Sequence, residues 1–317
     1  MSSSSLPIGE IAALGAAVIW ATTSIVFTSA GRAASPVAVN GFKTLMGTLL
    51  FAAALLLRDG CAIGRGISSE DAALLALSGF IGLSIGDSFL FRAFVTLGTR
   101  RAMLVFSLNP AIGALGGYLF LGERLGALAL AGMAVALGGV ALVIGEKRRA
   151  APDGLTPATN GLEPPARSLV ARHVVLFGVL YAIGAALGQA TGALIIKSSL
   201  QRVDTLSATG IRMAAGAAGL LLIGGMTGRL RRWTGLLVRG RMMARMLAAS
   251  VMGPFIGVYL MVVSIDRAPT GIALTLLSTT PIWLLPLGAW FQDDRPSAKE
   301  IAGAFIAILG VGLLMLR

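Results

Sequence analysis

The chain has 317 residues, of which 56% are hydrophobic and 13% are charged, so it carries too little charge to cover the surface of a water-soluble domain. The net charge is +12, but the Lys and Arg residues cluster between apolar blocks, which favours anionic lipid headgroups over nucleic acid as their partner. The single cysteine, Cys61, excludes an intramolecular disulfide, and with the single histidine, His173, it excludes a Cys-based or multi-His metal centre. No metal and no cofactor are therefore predicted.

Ten apolar blocks follow one another along the chain, each of roughly the twenty residues that a helix needs to cross a bilayer. They cover residues 8–29, 38–57, 71–95, 101–121, 125–145, 172–196, 204–226, 245–264, 269–290 and 297–316. No basic region precedes the first block, so we expect it to stay in the membrane and not to be cleaved as a signal peptide. The predicted fold class is an all-α integral membrane protein with ten transmembrane helices.

The second half of the chain repeats the first at an offset of 171 residues, where FSLNPAIGALGGYLFLGER (106–124) aligns with LSTTPIWLLPLGAWFQDDR (277–295). The matching pairs include Ser107 with Ser278, Pro110 with Pro281, Gly117 with Gly288 and Arg124 with Arg295. Apolar composition alone does not align Pro, Gly and Arg together, so the pattern indicates a duplication. We predict a first five-helix repeat over 1–145, a linker over 146–171 and a second five-helix repeat over 172–317.

An odd number of crossings per repeat turns the second repeat upside down relative to the first. The ten helices would then form two inverted five-helix repeats, related by a pseudo-two-fold axis in the membrane plane. Many secondary transporters follow this plan, with the substrate site at the interface of the repeats near the bilayer midplane.

The fourth block of each half contains a proline and ends in a charged corner, LGER (121–124) and then QDDR (292–295). With the doubled five-helix unit, this resembles the drug/metabolite transporter superfamily and its EamA-like permeases. The second corner departs from the family pattern, because it lacks the usual glycine and glutamate. The resemblance implies a secondary active transporter in the cell (inner) membrane that exports a small polar or amphipathic metabolite, such as an amino acid, by alternating access.

Other functions have weaker support in the sequence. Small-multidrug-type cation efflux needs a carboxylate in the middle of the first helix, but Glu10 lies near the end of the first block and Gln189 in the sixth block is neutral. A lipid-flipping partner or a membrane sensor is a further alternative. The sequence has no phosphate-binding loop for ATP and no cluster of His and carboxylate residues, so a proton or substrate gradient is the expected drive and an enzyme is not expected.

Charged side chains inside apolar blocks cost about 2.5–3.5 kcal/mol each on insertion scales, so each needs a reason. Asp87, in the third block, is a candidate proton-coupling acid or ligand for a substrate amine; alternatively it is a structural partner of Lys43, Arg92 or Arg212. Lys43 and Arg212 occupy matching places early in the second and seventh blocks. Either could bind a substrate carboxylate, but both lie about one turn from a block end, and we expect them to snorkel to the headgroups.

Further polar or aromatic side chains inside the apolar blocks are candidates for the substrate site: Trp20, Thr23, Asn109, Tyr181, Gln189, Tyr259 and Thr280. Each could instead contact a neighbouring helix. Asn109 and Thr280 precede prolines, which free a backbone carbonyl, so these two could repair the broken helix. Trp20 could fill space between helices. A separate stripe, Gly184, Gly188 and Gly192, predicts a close helix contact in the sixth block.

The orientation in the membrane is ambiguous from the sequence. Of the 26 Lys and Arg residues, 16 fall in odd-numbered connections, 7 in even-numbered connections and the termini, and 3 inside blocks. The positive-inside rule would therefore place both termini outside the cytoplasm. The family resemblance implies the reverse.

Overall fold

The computed structural model describes residues 7–33, 36–97, 99–145, 164–228, 240–292 and 297–315. Its helices are α1 Ile8–Ala33, α2 Pro36–Asp59, α3 Ser69–Gly79, α4 Asp87–Leu97, α5 Thr99–Phe106, α6 Asn109–Leu121, α7 Ala127–Gly145, α8 Pro164–Ser199, α9 Thr205–Met226, α10 Gly240–Ser250, α11 Val258–Arg267, α12 Thr270–Leu277, α13 Thr280–Gln292 and α14 Ala298–Met315. Two π-helical turns, Phe80–Gly86 and Val251–Gly257, join α3 to α4 and α10 to α11. No strand occurs in these ranges, so the all-α prediction is confirmed for them.

Every predicted apolar block coincides with helix among the described residues, but the bounds differ in places. The largest difference is α8, which begins at Pro164 and not at residue 172. The predicted linker therefore overlaps this helix. Residues 146–163 of the linker and residues 293–295 of the second corner lie outside the described part of the chain.

Seven helical segments of the described chain are long and apolar enough to cross a membrane: Ile8–Phe27, Val37–Asp59, Ser69–Phe94, Val175–Ser199, Thr205–Met226, Met243–Arg267 and Thr270–Leu287. The third, sixth and seventh each run through two consecutive helices. Ala127–Leu142 forms a shorter apolar helix. A helix satisfies its own backbone hydrogen bonds, which is why apolar sequence of this length is stable in lipid. The chain is therefore a multi-pass membrane protein.

The irregular places in the two halves match at the offset that the sequence repeat gives. The π-helical turns Phe80–Gly86 and Val251–Gly257 begin 171 residues apart, and so do the helix breaks at 107–108 and 278–279. At each break a new helix starts with a proline in its first turn, where the missing N–H is not needed. The fold thus has a two-repeat layout.

Helices from opposite halves pack against each other throughout the bundle. The pairs are α1 with α11, α8 with α4, α2 with α9, α6 with α12 and α7 with α14. Small residues permit the closest approaches: a Cβ built at Gly188 would lie 3.0 Å from Gly86 Cα, and one at Gly192 would lie 3.2 Å from Gly82 Cα. The predicted glycine contact of the sixth block is confirmed.

Among the described residues, three ion pairs join the two halves at the end of the bundle where α1 begins, which we call the tied end. They are Arg58–Asp204 at 2.7 Å, Asp71–Arg202 at 2.6 Å and Glu123–Lys197 at 2.6 Å. Gly122 ends α6 with a φ of +66°, a left-handed conformation that suits glycine. The turn lets Glu123 also accept hydrogen bonds from the N–H and the hydroxyl of Thr270, at 2.8 and 2.9 Å.

Candidate functional site

A cavity of about 220 Å³ lies between the two halves of the bundle. Both halves supply polar lining: Lys43, Asp87 and Asn109 come from the first, and Gln189 and Thr280 from the second. The lining residues of α1 and α2 lie in the parts of those helices that are remote from the tied end, and α4 lines the cavity from its first residue, Asp87, onwards.

Asp87 is the centre of the polar wall. It is the first residue of α4, and its backbone N–H donates to the Gly82 carbonyl across the π-helical turn. Lys43 Nζ donates to Oδ2 of Asp87 at 2.7 Å, and the Gln189 amide donates to Oδ1. Gln189 Nε2 also donates to the Gly82 carbonyl at 3.2 Å. The carboxylate therefore binds a cation from its own half and an amide from the other half.

An aromatic wall lies next to this ion pair. Phe91 and Phe94 follow Asp87 by four and seven residues on α4, so the three side chains share one helix face. The Lys43 ammonium lies 5.5 Å from the Phe91 ring centroid, within range of a cation–π interaction. Phe27 and Phe106 complete the described aromatic lining with Trp20. The cavity is charged at one place and apolar around it.

Trp20 and Thr23 line the cavity from α1. A Cβ built at Gly257 would lie 2.8 Å from Trp20 Nε1, and one at Gly253 would lie 3.0 Å from Thr23 Oγ1. Both side chains thus pack on glycines of the second π-helical turn. The Thr23 hydroxyl donates to the Ile19 carbonyl at 3.0 Å, so its hydrogen is used within its own helix.

The two residues before the prolines have different partners. The Thr280 hydroxyl donates to the Leu277 carbonyl at 2.7 Å, which repairs the helix break as one of the two interpretations predicts. Asn109 is 5% exposed, and its Oδ1 has no hydrogen-bond partner among the described residues. Because buried acceptors are rarely left unpaired, Asn109 offers a free acceptor at the cavity.

Four candidate residues lie outside the described lining: Tyr181, Tyr259, Arg92 and Arg212. The Tyr181 ring packs against Phe89 with centroids 5.7 Å apart, and the guanidinium of Arg92 lies 5.7 Å from the Tyr181 centroid. Tyr259 packs against the buried hydrophobic core. Arg92 is not a partner of Asp87.

The prediction that Lys43 and Arg212 snorkel to the headgroups is wrong. The Lys43 ammonium is directed at Asp87 inside the bundle. Arg212 is 0% exposed, and its Nη1 donates to Ser78 Oγ at 2.7 Å and to the Gly192 carbonyl at 2.9 Å. Buried acceptors on neighbouring helices draw both side chains inward, although each lies near a helix end.

Several residues that shape the site were not among the candidates. Asn40 is fully buried, and its Nδ2 donates to the Leu83 carbonyl of the first π-helical turn at 3.1 Å. Ser78 binds Arg212. Asn40 could have been noticed as an amide inside an apolar block, and the phenylalanines of α4 by their spacing from Asp87. The π-helical turn itself has no such signal.

A multi-pass helical bundle with a polar cavity between its two halves has the architecture of a membrane transporter. The family comparison agrees, because the model of the EamA-like transporter family matches residues 7–145 and again residues 176–316. The chain therefore belongs to the EamA-like transporter family, within the drug/metabolite transporter superfamily.

A solved structure titled "Crystal structure of protein" has the same fold. It superimposes with a TM-score of 0.74, covering 97% of this chain and 96% of that chain, at 20% sequence identity. No curated protein matches the sequence. At this level of identity the structural similarity shows the fold alone.

Proposed function

We propose that this protein is a secondary active transporter that exports a small amphipathic metabolite, such as an amino acid, across the cell (inner) membrane. The observation that carries the proposal is the Lys43–Asp87 ion pair at the cavity, with Gln189 reaching it from the other half. Ionisable side chains inside a membrane are expensive and are by default candidates for a functional site.

The cavity wall suits a solute that has both a polar end and an apolar body. Lys43 can receive a carboxylate, while Asp87 and the free Oδ1 of Asn109 can receive an ammonium. Phe91 and Phe94 would pack against the apolar body. A volume of about 220 Å³ is smaller than the usual site for a drug-sized ligand, which favours a small metabolite.

The proposed arrangement in the membrane is ten crossings in two inverted five-helix repeats over 1–145 and 172–317, with the linker 146–171 between them. Reciprocal packing supports it. If α8 is the counterpart of α1 and α11 that of α4, exchanging the halves converts the α1–α11 contact into the α8–α4 contact, and both occur. The matched π-helical turns support it as well.

Transport would proceed by alternating access around the cavity. The ion pairs of the tied end hold the halves together there, while the residues of α1 and α2 that line the cavity lie towards the other ends of those helices. Rocking of the halves would have to break those pairs to open the tied end. A proton or substrate gradient would supply the drive, and Asp87 is the candidate carrier if protons are coupled.

Counterflow in liposomes tests the proposal. Purified protein is reconstituted with an unlabelled amino acid inside, and the uptake of the labelled compound is followed, with protein-free liposomes as the control. Untargeted profiling of medium from overexpressing and deletion cells selects the compounds. We expect accelerated exchange of at least one small amphipathic metabolite. Absence of exchange for every compound whose level changes in the medium would contradict the proposal.

The orientation has its own test. A reporter that is active only in the cytoplasm is fused after Arg317. The family resemblance predicts activity, since it implies cytoplasmic termini, while the distribution of Lys and Arg predicts none.

A further inference from the structure

One half-buried cation, Lys43, one buried cation, Arg212, and one buried carboxylate, Asp87, lie at the polar wall of the cavity. Asp87 binds Lys43 at 2.7 Å, which leaves Arg212 without a carboxylate partner among the residues that the structure describes. Arg212 is 0% exposed, and within the same ranges its Nε and Nη2 have no hydrogen-bond partner. The three charges therefore sum to +1.

The Arg212 guanidinium lies directly behind the wall. A Cβ built at Gly82 would lie 2.8 Å from Arg212 Nη2 and 3.8 Å from Gln189 Oε1, so both groups flank the same backbone. Gln189 lines the cavity and donates to Asp87. One amide side chain thus separates the unpaired cation from the ion pair, and no bulk water screens its charge.

An arginine cannot relieve this excess by losing its proton near neutral pH. A buried, unpaired charge is costly and is stabilised by an opposite charge brought into the same low-dielectric surroundings. A bound anion would supply that charge, whereas a bound cation would add to the excess.

We infer that the cavity recognises its solute through an anionic group, and that the substrate is a small carboxylate-bearing compound with an apolar body. The carboxylate of the solute binds Lys43 beside Asp87. The positive charge of Arg212, behind the wall, stabilises the bound carboxylate electrostatically. An ammonium or hydroxyl donor that reaches Asn109 Oδ1 adds affinity but is not required. Organic cations without a carboxylate are disfavoured. The inference rests on the proposed transport function for its biological meaning, but its test is binding.

The test uses purified wild-type protein and three compounds that share one body and differ in charge: 3-phenylpropionate, phenylalanine and 2-phenylethylamine. Binding of each is measured by the shift in thermal unfolding temperature and by tryptophan fluorescence. We expect the two carboxylates to bind at least tenfold more tightly than the amine. Equal or tighter binding of the amine, or no binding of either carboxylate up to 10 mM as an order-of-magnitude ceiling, would overturn the inference.

Arg212→Gln removes the charge behind the wall, and Arg212→Lys keeps it. We expect the ratio of carboxylate to amine affinity to fall about tenfold in the glutamine variant and to stay near the wild-type value in the lysine variant. A structural role alone would lower all affinities together and leave the ratio unchanged, which would count against the inference. If a variant does not fold, the affinities of the three compounds for the wild-type protein still test the inference. Carboxylate binding without counterflow would overturn the proposed function and leave the inference standing.

Discussion

The two π-helical turns that the structure describes have the same backbone conformation but carry different side chains. Phe80–Gly86 leads into α4 in the first half, and Val251–Gly257 leads into α11 in the second. The residue after the turn is Asp87 in one half and Val258 in the other, and both side chains line the cavity. The duplication has kept the shape of the wall and has left its carboxylate on one side only.

The cations at matching places show the consequence. Lys43 lies 2.7 Å from Asp87, whereas Arg212 has only an apolar valine at the counterpart position and binds Ser78 and Gly192 instead. The two cations therefore differ in position: Lys43 faces the cavity, and Arg212 lies behind its wall. A symmetric scaffold with an asymmetric charge can hold its solute in one orientation.

The largest expected effect comes from Asp87→Asn. The change leaves Lys43 without its counter-charge inside the bundle, and loss of one partner of a buried pair costs about 3–5 kcal/mol. We expect counterflow to fall at least tenfold, with a smaller loss for Val258→Ala at the counterpart position. Residual transport of Asp87→Asn should also have a different pH profile. An unchanged profile would remove Asp87 from the role of proton carrier.

The next test asks whether the scaffold is as symmetric as the matched helices indicate. A Cβ at Gly139 would overlap the backbone N of Ala307, and one at Gly310 would overlap the backbone N of Ala136. Since backbone atoms cannot give way, Gly139→Ala and Gly310→Ala must separate α7 from α14. We expect each to cost about 1–3 kcal/mol, as overpacking does.

Thermal unfolding in detergent measures this loss. Matched controls are Gly138→Ala and Gly312→Ala, because a Cβ at either position meets nothing within 4 Å. The controls should leave the unfolding temperature near that of the wild type. A large loss in one half and none in the other would contradict a symmetric scaffold.

Asn109 and Thr280, at the two helix breaks, differ in their hydrogen bonding. Asn109 has a free Oδ1 at the cavity, whereas the Thr280 hydroxyl is bonded to Leu277. We expect Asn109→Ala to weaken binding of phenylalanine about three- to tenfold, which corresponds to one hydrogen bond. Thr280→Ala should act mainly on stability, by about 0.5–1 kcal/mol. Equal effects on binding would show that the two positions are equivalent.

The smallest effect is expected at the tied end, where an exposed carboxylate contrasts with Asp87. Burial would raise the pKa of Asp204, but hydrogen bonds from Arg58 and Ser207 outweigh it and lower the pKa to about 2. The pairing therefore stabilises the fold above pH about 4, the usual value for aspartate, and the contribution is lost as the pH falls towards 2.

Asp204→Asn keeps the cap of α9, since asparagine also caps helices, and removes the charge. With a side chain 49% exposed, the loss should be only about 0.5 kcal/mol at neutral pH, as for surface pairs. Unfolding followed between pH 7 and 3 checks this: the wild-type advantage should shrink below pH about 4. A stability difference between wild type and Asp204→Asn that grew at low pH would contradict the lowered pKa of Asp204.

The helices, the doubling and the helix breaks were predictable from local sequence patterns. Apolar length, a repeated pattern and proline are local properties, so 106–124 and 277–295 already predicted two matched interrupted helices. The glycine stripe of α8 was readable for the same reason, because small residues at a spacing of four share one helix face.

Which charged side chains form pairs depends on how the helices pack. Lys43, Arg92 and Arg212 were all candidate partners of Asp87 in the sequence, since pairing between helices depends on how each helix is rotated about its axis. A π-helical turn adds a residue to the helix and rotates the next segment by about 100°. No local sequence pattern before Asp87 predicts this turn. The burial of Arg212 likewise depends on Ser78 and on two glycines from other helices, which the chain brings together only when it is folded.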